Sequence, residues 1–104
     1  MDAFVIKRGD TSPAIRFALK PATNDIGGSL VQFQMRSRSG VVIVDQPATI
    51  VSALPPVVQF NWRAVDTETA GVFEAEFRIT YADGGIETFP NSGFIPVRIG
   101  EDVR

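Results

Sequence analysis

The stretch Val57–Phe94, VVQFNWRAVDTETAGVFEAEFRITYADGGIETFPNSGF, restricts what this chain can become more than any other part of it. Val58, Phe60 and Trp62 alternate with Gln59, Asn61 and Arg63. After a turn at Asp66–Gly71, Phe73, Ala75, Phe77, Ile79 and Tyr81 alternate with Glu74, Glu76, Arg78 and Thr80. A period of two bounded by turn residues describes antiparallel strands with one face buried and one wet. Asp83-Gly84 then predicts a tight hairpin of the primed type, in which glycine supplies the positive φ, with Ile86–Phe89 as the answering strand. No helical stripe of useful length competes.

The flanking sequence repeats the pattern. Phe4–Lys7 reads as a first strand, closed by Gly9-Asp10-Thr11-Ser12-Pro13. Ile15, Phe17 and Leu19 oppose Arg16 and Lys20, and Pro21–Gly28 is a polar loop without periodicity. Val31, Phe33 and Met35 alternate with Gln32, Gln34 and Arg36. Ser39-Gly40 leads into Val41–Val44, a β-branched run expected to be buried on both sides. Pro47 interrupts it, Ala48–Val51 reads as a further short strand, and Pro55-Pro56 imposes a turn because proline cannot donate to a ladder. The last strand, Ile95–Ile99, carries Pro96 and is therefore expected at an edge. The result is an all-β antiparallel sandwich or barrel of roughly seven to nine short strands. Its predicted core is Phe33, Phe60, Trp62, Phe73, Phe77 and Ile79, with Trp62 buried because it shares a face with Val58 and Phe60. The corner Asp66–Phe73 resembles that of immunoglobulin-like sandwiches, where a tyrosine hydroxyl bonds back to upstream backbone; Phe73 has no hydroxyl to do so.

A length of 104 residues suits one domain spanning residues 1–104. There is no cysteine and no histidine. That composition rules out disulfides, thiolate nucleophiles and Ser-His pairs, and withholds the usual zinc, copper and haem ligands. A formal charge of −2 supplies no basic field for phosphate, so no nucleic-acid partner is expected. Met1-Asp2-Ala3-Phe4 lacks the features of a signal peptide, and no run reaches the roughly 20 apolar residues of a membrane span. A soluble domain with no membrane insertion is the expectation.

Carboxylates are the one catalytic resource. Glu74 and Glu76 share a face about 7 Å apart, a glycosidase-like separation, but as wet-face residues of a strand they serve solubility without catalysis. Asp10, Asp25, Asp66 and Asp83 lie in different loops without the dense spacing of a calcium site, and each is read as a turn residue. Arg8-Gly9-Asp10 spells an integrin-ligand tripeptide, yet here it ends a strand and opens a turn. Arg36 and Arg38 make too small a patch for nucleic acid. No enzyme activity, cofactor or metal is expected.

IKRGDTSPAIRFALK, ATIVSALPPVVQFNW, DTETAGVFEAEFRITYADG and ETFPNSGFIPVRI resemble the N-terminal domain of the phage baseplate upper protein family, over nearly the whole chain. The telling pieces are Lys7–Thr11, the Asp66–Gly71 turn with Phe73, and Thr88-Phe89-Pro90 with Gly93-Phe94. The resemblance implies an immunoglobulin-like β-sandwich acting as a virion structural or attachment module, made in the bacterial host cytoplasm. The larger relatives continue into a stalk, whereas this sequence stops at Arg104, which suggests a small tail, baseplate or neck accessory. Its expected partners are other phage virion subunits, present in multiple copies. The expected contacts are the first strand, Phe4, Val5 and Ile6, and the Pro21–Gly28 loop, because open apolar edges pair or dock. Two alternatives are a host-carbohydrate-binding adsorption module, with Tyr81, Phe89 and Phe94 as its aromatics, and a capsid decoration protein.

Overall fold

The computed structural model describes residues 2–22 and 24–103. Nine strands run in the order β1 (Phe4–Lys7), β2 (Ile15–Ala18), β3 (Leu30–Ser37), β4 (Val42–Pro47), β5 (Thr49–Ser52), β6 (Val57–Phe60), β7 (Gly71–Thr80), β8 (Ile86–Phe89) and β9 (Ile95–Gly100), with a 3-10 helix at Ala64–Thr67. They form two sheets. The larger is ordered β1-β9-β7-β3-β4, with β8 also on β7, and the smaller is β2-β6-β5. Hairpins stay within a sheet while β1→β2, β2→β3, β4→β5 and β6→β7 cross between sheets, giving the sandwich of immunoglobulin-like type.

Strand β7 organises the larger sheet. Strand β3 pairs along it in strict antiparallel register, from Leu30↔Thr80 to Ser37↔Phe73. On its other side β9 covers Gly71–Ala75 and β8 covers Phe77–Thr80. Alternation sends Phe73, Ala75, Phe77 and Ile79 inward with Val31, Phe33 and Met35, as the sequence predicts. Phe33 is the hub. Its ring lies 4.5 Å from Phe60 and 5.0 Å from Phe77, with Trp62 edge-on at 5.5 Å. All six predicted core residues are buried. Trp62 Nε1 is the one buried side-chain nitrogen or oxygen without a hydrogen-bond partner among the described residues.

The small sheet is too short to cover the large one alone, so loops complete the core. Leu19 and Ile26 are fully buried, and the chain around them is fixed by Leu19 N–H to Pro56 O (3.0 Å) and Ile26 N–H to Ala53 O (3.1 Å). The loop expected to be polar thus contributes an apolar side chain to the interior.

Four expectations are corrected. The sheets are not wholly antiparallel, because β1 runs parallel to β9 from Phe4↔Val97 to Lys7↔Gly100. Strand β9 is internal, between β1 and β7. Pro96 is tolerated there because β1 begins opposite Val97, leaving Pro96 with only β7 beside it. The run Val41–Val44 is not buried on both sides. It leads into edge strand β4, where Val44 faces the core while Val41, Val42 and Ile43 remain exposed. Finally, the Asp83-Gly84 hairpin is not of the primed two-residue type. Gly84 has φ +91° but Asp83 is not in the positive region. Bonds from Gly84 N–H to Tyr81 O and from Tyr81 N–H to Gly85 O close a longer loop, with glycine at its left-handed position.

Candidate interaction surfaces

The corner between β6 and β7 shows how the chain dispenses with a tyrosine hydroxyl. Asp66 is buried at the start of the 3-10 helix and accepts from Arg63 N–H (2.8 Å), Arg63 Nε (3.1 Å) and Arg63 Nη2 (2.6 Å). This bond raises the Arg63 guanidinium above its ordinary range. Next to it, the buried Thr67 hydroxyl donates to Asp10 O at 2.8 Å, and Gly9 N–H donates to Thr67 O at 3.0 Å. Thr67 therefore ties the corner to the β1–β2 connection. The Arg8-Gly9-Asp10 tripeptide is held in this structural role, with Arg8 also paired to Asp102 at 3.1 Å.

Asp25 and Asp83 each keep a turn role of their own. Asp25 Oδ1 accepts from Gly27 N–H and Asp83 Oδ1 from Gly85 N–H, both at 2.8 Å, as turn residues do. Among the described residues no group of three or more metal-ligating side chains is clustered. The two line a shallow polar depression of about 410 Å³ with Tyr81.

Of the three residues proposed for partner contact, the structure separates one from the others. Ile6 is buried in the core, and Phe4 stacks on Trp62 with ring centroids 5.7 Å apart. Val5 points outward and is 58% exposed on the free edge of β1. The aromatics weighed for sugar stacking divide in the same way. Phe89 is buried, and Tyr81 packs against the core with its hydroxyl donating to Glu87 at 2.7 Å. Burial first, then that carboxylate, push the Tyr81 phenol above its ordinary range, while a bond with Asn24 opposes them. Phe94 alone of the three is exposed.

Phe94 borders a concavity of about 270 Å³ on the outer face of the larger sheet. Its floor is made by the wet-face residues of β3 and β7. Arg36 Nε bonds Glu74 Oε1 at 2.9 Å, and Asp45 on β4 accepts from Gln32 at 2.9 Å and Gln34 at 3.4 Å. Glu76, the next outward residue after Glu74 on β7 and opposite Gln34, makes no hydrogen bond or ion pair among the described residues. Glu74 and Glu76 share this face as the alternation predicts. Asp45 and Val42 were not singled out from the sequence, because their position depends on how β4 is registered against β3.

No family model matches the chain, and no curated protein matches it at a significant level. Among solved structures, CopC from Methylosinus trichosporium OB3b is similar, with a TM-score of 0.58 and 12% identity over 98% of this chain and 87% of that chain. A likeness at that identity concerns the fold.

Proposed function

We propose that this chain is a phage virion structural module, a tail, baseplate or neck accessory that works in multiple copies through protein–protein contact and not by catalysis. The resemblance of its turn and core segments to the baseplate upper protein N-terminal domain supports the reading. The observation that carries the contact mode is the free edge of β1. Paired to β9 on one side only, β1 offers an open outer edge with exposed Val5, while Phe4 and Ile6 hold the strand to the core from the other face. An edge of this kind accepts an added strand from a neighbour, main-chain bonds giving affinity and the outward side chain giving selectivity.

The likeness to CopC, at 12% identity, concerns the fold and carries no ligand or activity over to this chain. The adsorption alternative has lost its aromatic platform, since of its three aromatics Phe94 alone is exposed.

The test is Val5→Asp introduced into the phage that encodes the chain, with copy number in purified particles measured by quantitative mass spectrometry. We expect at least a tenfold loss of the protein from particles, with the isolated variant unfolding at the same denaturant midpoint. Undiminished copy number would remove the β1 edge as the docking element. Absence of the unmodified protein from particles would overturn the virion reading itself, and a copy number matching capsid subunits would reassign it to decoration.

A further inference from the structure

Two irregularities of the larger sheet converge on one groove. In β4 the register slips, so that Met35 pairs with Val44 but Arg36 pairs with Val42. The bulge brings Val42 to the outer face, where uninterrupted alternation from buried Val44 would have turned it inward. On the far side of β7, Phe77 pairs with Phe89 and Ala75 with Ile95, so residues 90–94 are extruded opposite Glu76 alone. Asn91 pins the extrusion by donating to Thr88 O at 2.9 Å and Glu87 Oε2 at 3.2 Å, and Gly93 turns it with φ +75°. The outcome is an apolar wall on each side, Val42 and Phe94, 65% and 42% exposed, above a polar floor.

That floor is short of positive charge. Asp45, Glu74 and Glu76 face a single guanidinium, Arg36, which Glu74 already engages. Arg78, the next outward residue of β7, lies beyond the groove, facing Gln32 and Thr88 across the neighbouring strands. Glu76 is left with both oxygens available, at the point where the extrusion leaves β7 without a neighbour on that side. At about 270 Å³ the space lies at the small end of small-molecule sites, and Phe94 is the one aromatic bordering it. It suits one long side chain whose stem is apolar and whose end is cationic.

We propose that this groove receives a lysine or arginine side chain presented by a protein partner. The methylene stem lies between Val42 and Phe94, and the cationic end reaches Glu76 beneath the Phe94 ring. The inference rests on the protein-contact reading of the chain and names a second surface for it, on the face of the sheet and not at the β1 edge.

The test uses the isolated full chain and proton–nitrogen NMR, titrating acetyl-Gly-Lys-Gly-amide, the same peptide with norleucine in place of lysine, and methyl glucoside. We expect saturable shifts at the amides of Glu76, Gly93 and Phe94 with the lysine peptide, and none with norleucine. Glu76→Gln should weaken binding about tenfold, the effect of one charged contact, and Phe94→Ala should weaken it severalfold, both variants keeping a dispersed spectrum. Equal shifts with norleucine, no saturable shift with lysine, or lysine binding unchanged in Glu76→Gln would each overturn the proposal. Saturation by methyl glucoside instead would overturn it in favour of a sugar. Because this readout needs no particle, its failure leaves the virion reading standing, and loss of the virion reading leaves this result unaffected.

Discussion

Asp66 and Thr67 are the buried polar side chains among the described residues, and each is bonded to backbone that would otherwise lack a side-chain partner. Asp66→Ala removes three bonds made by a carboxylate and leaves the Arg63 N–H without its acceptor, so we expect a loss of about 1.5–3 kcal/mol, measured by urea unfolding. Asp66→Asn keeps one acceptor and should cost less. Tyr81 is the chain's single tyrosine, so tyrosinate absorbance at 295 nm reports it alone. Its raised value means that the folded state favours the neutral phenol. The unfolded chain then loses this proton first, so the contribution to stability is complete below pH 10 and declines as pH rises through the folded value. The expected outcomes are a titration midpoint above about 10 and a flatter alkaline stability profile in Tyr81→Phe.

At the scale of elements, β4 and β9 carry the lesson that composition ranks burial only when position is known. Four consecutive β-branched residues, Val41–Val44, read as a buried strand, yet the chain places them at an edge where only Val44 turns inward. Val44→Asp should destabilise by about 3–5 kcal/mol, because an unpaired charge enters the core. Val42→Asp, on the wet face, should stay within about 0.5 kcal/mol of the parent. Reversal of these two results in urea denaturation would place the β4 bulge elsewhere. Pro96 failed as an edge marker for a related reason: β1 stops one residue short of it, so an internal strand can hold a proline at the end of its neighbour's register.

For the whole molecule, stability depends on an aromatic cluster joining the sheets through Phe33, Phe60, Trp62 and Phe77. Phe33 is central to it and fully buried. Phe33→Ala should cost about 3–5 kcal/mol through lost transfer energy and the cavity left behind. In a domain of this size that is a large share of total stability, and the fluorescence of the lone Trp62, which touches Phe33 edge-on, would follow the change.

Strand periodicity, the inward face of β3, β6 and β7, and six members of the core are legible in the residues alone, because a period of two leaves each side chain only one of two faces. Composition likewise sets which chemistries are missing, since no fold can supply a histidine or a cysteine. Which strands are edges, that β1 runs parallel to β9, that Phe4 and Ile6 are used internally while Val5 is exposed, and that Val42, Glu76 and Phe94 border one groove emerge only when the sheets assemble. Those outcomes depend on register, on a bulge and on an extruded loop. Each is set by which strand lies alongside which, and pairing across tens of residues leaves no mark in local alternation.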